Sequence, residues 1–303
     1  MSNDDEPLPV DSSLALGKFD ASFESVADMD ERKPVGNCSE IPWARICSLE
    51  YYDDEASIWA PMGTGWIAAP RLVVTAGHCL FHPKRTTERL TKIRVIPGRH
   101  EGDFPFGCQE STEFKAAWEE LGVEKDDRHD YGAIFVPKPW PKRLGRFRQM
   151  KVADPNELIG QKVNVGGYPG DFKLGLGQKQ YRHADVVTRV ADGRVFYKTD
   201  SSKGQSGSPI FVVQYPGDDP QVVGIHSDGF AKDAAEGEKV NSGPLLAQDV
   251  AGQIIAWQEK ASIIFPDVPD QPPKPTGPDN GRPKKKRKGL FAWFGKGRDS
   301  ANA

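Results

Sequence analysis

From Ile41 onward the chain repeats one pattern: short apolar runs separated by polar stretches rich in turn formers. The runs fall at residues 44–49, 65–68, 72–75, 93–96, 133–136, 162–165, 195–197, 209–213 and 221–225. Runs this short, rich in valine and isoleucine, predict strands. Punctuation such as Pro169-Gly170-Asp171 and Pro216-Gly217-Asp218-Asp219 predicts the turns between them. Many short strands with regular turns imply a sandwich or barrel. Two segments carry a helical period instead. Residues 114–121 predict a short surface helix. Residues 245–259 predict a longer one, with Leu246, Val250, Ile254 and Trp257 on one face and Asn241-Ser242-Gly243-Pro244 leading into it. No internal repeat is present.

The ends break this pattern. Residues 1–40 lack hydrophobic periodicity and begin with an acidic stretch (Asp4, Asp5, Glu6, Asp11), which predicts a flexible leader. Residues 265–303 open on a Pro-rich linker (Pro266, Pro269, Pro272, Pro273) and continue into the basic cluster Pro283-Lys284-Lys285-Lys286-Arg287-Lys288. The folded domain is therefore expected at 41–264. The 31 glycines and 25 prolines suit tight loops, and the formal charge of −3 gives no global affinity for nucleic acid or membranes. No apolar run is long enough to cross a bilayer, and the N-terminus has no basic start followed by an apolar stretch. A cytoplasmic or peripherally membrane-bound location is expected, with export by another route left open.

Three strings carry chemistry. In Lys203-Gly204-Gln205-Ser206-Gly207-Ser208-Pro209, glycines flank a serine ahead of a strand. They allow a tight turn that exposes the hydroxyl and aims the amides of Gly204 and Ser206 at a developing oxyanion. In Leu72-Val73-Val74-Thr75-Ala76-Gly77-His78-Cys79, a buried strand ends in small residues and delivers His78 at its exit, a rigid mount for a general base. In Asp130-Tyr131-Gly132-Ala133-Ile134-Phe135-Val136, a carboxylate leads directly into a strand, where it can accept from the histidine Nδ1. Each string alone also fits an ordinary turn. Together they run in the order His78, Asp130, Ser206, which differs from the orders used by subtilisins and α/β-hydrolases.

With these strings the chain, over residues 24–263, resembles the chymotrypsin-like serine peptidases, most nearly their bacterial glutamyl endopeptidase branch. Gly204-Gln205-Ser206-Gly207-Ser208-Pro209, Val95-Ile96-Pro97-Gly98-Arg99, Phe104-Pro105-Phe106-Gly107 and Gly166-Gly167-Tyr168-Pro169-Gly170 carry the likeness. The resemblance implies an all-β double six-stranded β-barrel, with barrels at 41–140 and 141–244 and a C-terminal helix. It also implies a serine endopeptidase working through an acyl-enzyme on protein or peptide substrates. The triad would be His78, Asp130 and Ser206, the oxyanion hole the amides of Gly204 and Ser206. In this branch a histidine after Gly-Ile binds the substrate's glutamate; the match is His226, assisted by the hydroxyl of Ser201, and its imidazolium would add a charge-assisted bond. Asp200 sits where trypsin-type enzymes bind Lys or Arg, so that specificity is the alternative. Asp228 near the pocket rim would repel an acidic side chain, and Lys203 would offset it.

The resemblance extends to the leader. Glu24-Ser25-Val26-Ala27-Asp28-Met29-Asp30-Glu31-Arg32 is similar to the family's processing junction, so cleavage after Glu24 would free Ser25 as an α-amine for the pocket. In many relatives the cysteine after the catalytic histidine is bridged about sixteen residues upstream, but Met62-Gly63-Thr64-Gly65 offers no partner here. Cys79 with Cys108, and Cys38 with Cys47, remain the pairings to set against four free thiols. No metal or organic cofactor is required, no specific nucleic-acid partner is expected, and the protein is expected to be a monomer. The cluster and the aromatics of residues 282–298 can adsorb to an anionic membrane. A non-catalytic binding module on the same scaffold, and an ester hydrolase, are the rival functions.

Overall fold

The computed structural model describes residues 30–149, 154–215, 217–229 and 239–266, with the side chain of Phe172 left out. Of the flexible leader expected at 1–40, residues 1–29 with Ser25 lie outside the described residues, as does the tail at 282–298, whereas residues 30–40 pack on the fold through a strand at Lys33–Pro34. After a two-residue strand β1 (Lys33–Pro34), the strands β2 (Ile46–Asp53), β3 (Ile58–Ala69), β4 (Leu72–Thr75), β5 (Ile93–Pro97), β6 (Gln109–Ser111), β7 (Phe114–Ala116) and β8 (Gly132–Phe135) follow. β2 to β8 form one sheet in the order β6-β5-β2-β3-β4-β8-β7. A helix α1 (Ala117–Leu121) interrupts the run. The chain then enters β9 (Arg148–Gln149), β10 (Lys162–Gly167), β11 (Tyr181–Ala191), β12 (Arg194–Tyr197), β13 (Pro209–Val212), β14 (Gln221–Ile225) and β15 (Asn241–Pro244). These make a second sheet in the order β15-β12-β11-β10-β13-β14-β9, with β1 added on β11. Helix α2 (Gln248–Ile264) closes the fold.

The continuous apolar runs have a simple cause: their strands are buried on both faces. Side chains alternate across a strand. In β4, Leu72 and Val74 join the cluster shared with α2, while Val73 points into the first sheet's own core. In β13, Phe211 faces the shared cluster, whereas Ile210 and Val212 face the second sheet's core with Val165 and Val223. The shared cluster draws Trp66 from the first sheet, Phe211 and Ile225 from the second and Trp257 from α2.

The two sheets and the terminal helix agree with the expected architecture, but the strand counts exceed six: the first sheet has seven, and the short strands β1 and β9 bring the second to eight. Local boundaries differ more. Residues 114–121 are not one helix, because Phe114 and Ala116 pair with Ile134 and Gly132 as β7 before α1 begins. The terminal helix starts later than expected: Leu245 bridges Gly224 and Leu246 donates its amide to Val223, which keeps both extended beside β14 until Ala247 caps the helix. Asn241-Ser242-Gly243-Pro244, expected only as a lead-in, is strand β15 on β12. All four cysteines are thiols, Cys38, Cys47 and Cys79 buried and Cys108 exposed, so neither pairing forms.

Candidate active site

The β4–β8 register assembles the first two groups. Thr75 lies opposite Gly132, so the chain leaves β4 toward His78 at the edge where it enters β8 from Asp130. The Asp130 carboxylate holds His78 twice: Oδ1 accepts the His78 amide at 2.7 Å and Oδ2 lies 2.6 Å from Nδ1. A carboxylate accepts only, so Nδ1 carries the proton and Nε2 keeps its lone pair, the state of a general base. Burial opposes charge on the imidazole, yet the negative Asp130 and the neighbouring Cys79 raise its pKa well above the ordinary histidine value. Burial likewise opposes ionisation of Asp130, and the charge and hydrogen bonds of His78 win, holding it below the usual carboxylate value. The His78 ring keeps 35% of its surface open toward the cleft.

Ser206 arrives from the other sheet. Thr64, in β3, donates its amide to the Ser206 carbonyl at 2.9 Å and its hydroxyl to the Gly204 carbonyl at 2.8 Å. The same hydroxyl accepts the Tyr168 amide at 2.9 Å. Cys79, next to His78, places Sγ 3.7 Å from the Ser206 carbonyl. One threonine thus clamps the serine turn beside the histidine strand. Gly204 (φ +95°) and Gly207 (φ +88°) occupy backbone that L side chains avoid, and a Cβ on Gly207 would lie 2.1 Å from the Thr64 carbonyl. The amides of Gly204 and Ser206 bond to nothing among the described residues, which leaves two donors open beside the serine. The Ser206 hydroxyl makes no hydrogen bond to His78 among these residues; such contacts commonly tighten only when substrate binds.

His226 is seated against this turn. Gly207 donates its amide to the His226 carbonyl at 2.7 Å, and the His226 amide donates to Ser208 at 2.9 Å. Its buried Nδ1 lies 2.5 Å from the Tyr197 hydroxyl. Burial raises the Tyr197 pKa well above normal, so that hydroxyl keeps its proton and can donate to Nδ1. When Tyr197 donates, the His226 proton sits on Nε2. Burial first, and the nearby His78 second, push the His226 pKa down to about 3. That burial opposes the imidazolium expected from sequence and favours a neutral ring. The buried hydroxyl of Ser201 likewise has no partner among the described residues.

Asp200 is fully buried, and its carboxylate faces away toward the N-terminal segment. Its Oδ2 accepts the Glu31 amide at 2.7 Å and lies 3.5 Å from the His183 ring. Glu31, His183 and Asp200 are also the group near enough together to ligate a cation among the described residues. His183 Nδ1 already accepts the Asp200 amide at 2.7 Å, which takes one lone pair from any such use. Asp228 lies 3.9 Å from Arg194, which offsets its charge. Lys203 is exposed. Sequence reasoning missed Thr64 and Tyr197, because a threonine mid-strand and a tyrosine closing an apolar run carry no local signal of their partners.

Comparison with known proteins places this geometry. The sequence profile described as a trypsin-like peptidase domain matches residues 63–225. The glutamyl endopeptidase of Bacillus licheniformis is 28% identical over 245 residues, covering 79% of this chain and 71% of that protein. A Bacillus subtilis protein named extracellular metalloprotease is 27% identical over 236 residues, covering 77% of this chain and 69% of that protein. The solved structure of a Glu endopeptidase in complex with MPD superposes with a TM-score of 0.63 at 23% identity, over 77% of this chain and 99% of that one, a likeness of fold.

Proposed function

The chain belongs to the trypsin-like peptidase domain family and is a serine endopeptidase, and from that premise we propose that Ser206, His78 and Asp130 perform the hydrolysis with glutamate preferred before the cleaved bond. In this reading Nε2 of His78 takes the Ser206 proton as Oγ attacks the peptide carbonyl. The carbonyl oxygen becomes an oxyanion held by the amides of Gly204 and Ser206. Asp130 stabilises the imidazolium, which then protonates the leaving amine. Water, deprotonated by the same imidazole, cleaves the acyl-enzyme.

The specificity rests on one observation: the Tyr197 hydroxyl lies 2.5 Å from His226 Nδ1, and in this reading it donates there and leaves the ring N–H on Nε2. A neutral donor suits a carboxylate and offers nothing to an ammonium or guanidinium. The unpartnered Ser201 hydroxyl supplies a second donor. The rival Lys/Arg specificity needs the Asp200 carboxylate in the pocket, whereas that group is engaged by Glu31 and His183.

Cleavage-site profiling on a peptide library tests this. Glutamate should dominate the position before the cut, with aspartate behind it. A majority of cuts after lysine or arginine would sink the glutamate assignment and restore Asp200. Labelling with a fluorophosphonate tests the triad separately: wild-type Ser206 should react stoichiometrically and His78→Ala should not.

A further inference from the structure

A charged network outside the triad reaches the nucleophile turn from the start of the described chain. The Arg32 side chain is only 1% exposed. Its Nη1 donates to the Ser202 hydroxyl at 2.6 Å and to Gln205 Oε1 at 2.9 Å. Its Nε and Nη2 donate to Asp30 at 2.9 and 2.7 Å, and Nη2 also reaches Asp171 at 3.4 Å. Ser202 in turn donates its hydroxyl to Asp171 at 2.6 Å, and its amide donates to Gln205 Oε1 at 3.1 Å. One residue earlier, the Glu31 amide caps Asp200. Positions 200, 202 and 205, all just before the nucleophile, are therefore held by residues 31 and 32.

Two features show what this network does to the turn. Gln205 is fully buried, and Oε1 accepts two donors while Nε2 has no partner among the described residues. An unpaired buried N–H is costly, so the amide keeps this orientation because Arg32 demands an acceptor there. Gln205 also shares a peptide unit with Ser206, whose N–H is one of the two oxyanion donors. A planar guanidinium can bridge Asp30 and Asp171 on one side and Ser202 and Gln205 on the other; an ammonium cannot span that fork. The segment itself is docked by backbone bonds, with Lys33 paired to Arg182, Pro34 to Tyr181, and the Val35 amide donating to Gln180.

We propose that Arg32 is a positioning residue for the reaction: docking of residues 30–34 along β11 seats its guanidinium against Ser202 and Gln205 and so sets the oxyanion-binding shape of the nucleophile turn. This rests on Ser206 being the nucleophile. Activity is then conditional on a strap from the N-terminal segment. Arg32 lies downstream of Ser25, so the strap persists whether or not the leader is removed after Glu24.

The test uses the full chain with Arg32→Ala, Arg32→Lys and Arg45→Ala, the last removing a buried arginine that pairs with Asp219 away from the turn. Both Arg32 variants should lower kcat by roughly 10²-fold, the scale of a small misplacement of catalytic groups, with KM changed little. Added guanidinium ion, below denaturing concentration, should restore kcat in Arg32→Ala and leave Arg45→Ala unchanged. A purely structural role would not show that rescue. If Arg32→Ala does not fold, Arg32→Lys carries the test alone. A folded Arg32→Lys with wild-type kcat, or a loss in Arg32→Ala that guanidinium leaves in place, overturns the proposal. Wild-type protein whose Ser206 resists a fluorophosphonate overturns the catalytic assignment, and the strap with it; labelled wild type with an undiminished Arg32→Lys overturns the strap alone.

Discussion

Two histidines of the site are driven in opposite directions by their surroundings. His78 faces a carboxylate, and its pKa is raised; His226 is buried and lies near His78, and its pKa falls to about 3. A base must be neutral to take a proton, so a raised pKa displaces the rising limb of activity toward higher pH. The pH profile of kcat/KM should therefore rise along a limb above the ordinary histidine value of about 6.5. Asp130→Asn should lower kcat about 10⁴-fold and move that limb down, since the Coulombic support for the imidazolium is gone. A wild-type limb at or below the ordinary value would contradict the pairing. At His226 the sensitive partner is Tyr197. Tyr197→Phe removes the donor that fixes the tautomer and leaves Nδ1 buried without a partner. It should cost about 1–2 kcal/mol, roughly tenfold or somewhat more in kcat/KM on glutamyl peptides. The rate of Ser206 labelling by a small fluorophosphonate should stay near wild type, which separates a pocket effect from a triad effect.

Strand β3 does more than fill a sheet. It pairs with β2 and β4 along its length, while Thr64 turns its remaining hydrogen-bonding groups toward the serine turn of the other sheet. Thr64→Val keeps the shape and removes the hydroxyl, leaving the Gly204 carbonyl and the Tyr168 amide without this partner. Urea unfolding should show a loss of about 1–3 kcal/mol, and kcat should fall if the Gly204 amide holds the oxyanion as proposed. Unchanged stability with unchanged kcat would mean the clamp is dispensable. The elements themselves were legible to differing degrees. β4 and β14 coincide with the apolar runs at 72–75 and 221–225, because strands buried on both faces write their limits as unbroken hydrophobicity. β11 is half-buried and interrupted by Arg182 and Asp185, and its pattern carries no comparable signal. α1 follows β7 without a break, so its helical residues and the strand's merge into one ambiguous run.

Across the whole described chain, the cores of the two sheets meet in a common cluster that also holds α2. Neither sheet can lose its inner face without exposing the other's, so denaturation should be shared. Far-UV circular dichroism, tryptophan fluorescence and peptidase activity should fall together through one urea transition, and separated midpoints would show that the halves are independent. The amino-acid order alone was enough for the strand-rich class, for nominating His78, Asp130 and Ser206 as the candidate series, and for the glycines of the serine turn. Those follow from burial periodicity and from backbone freedom, which neighbouring residues decide between themselves. What the tertiary structure decided is which partner each polar group meets: Thr64 on Gly204 across 140 residues, Arg32 on Gln205 across 173, and Asp200 turned toward Glu31 instead of the pocket. Such pairings depend on the register between two separately wound sheets, and no stretch of local sequence encodes a register that only their packing creates.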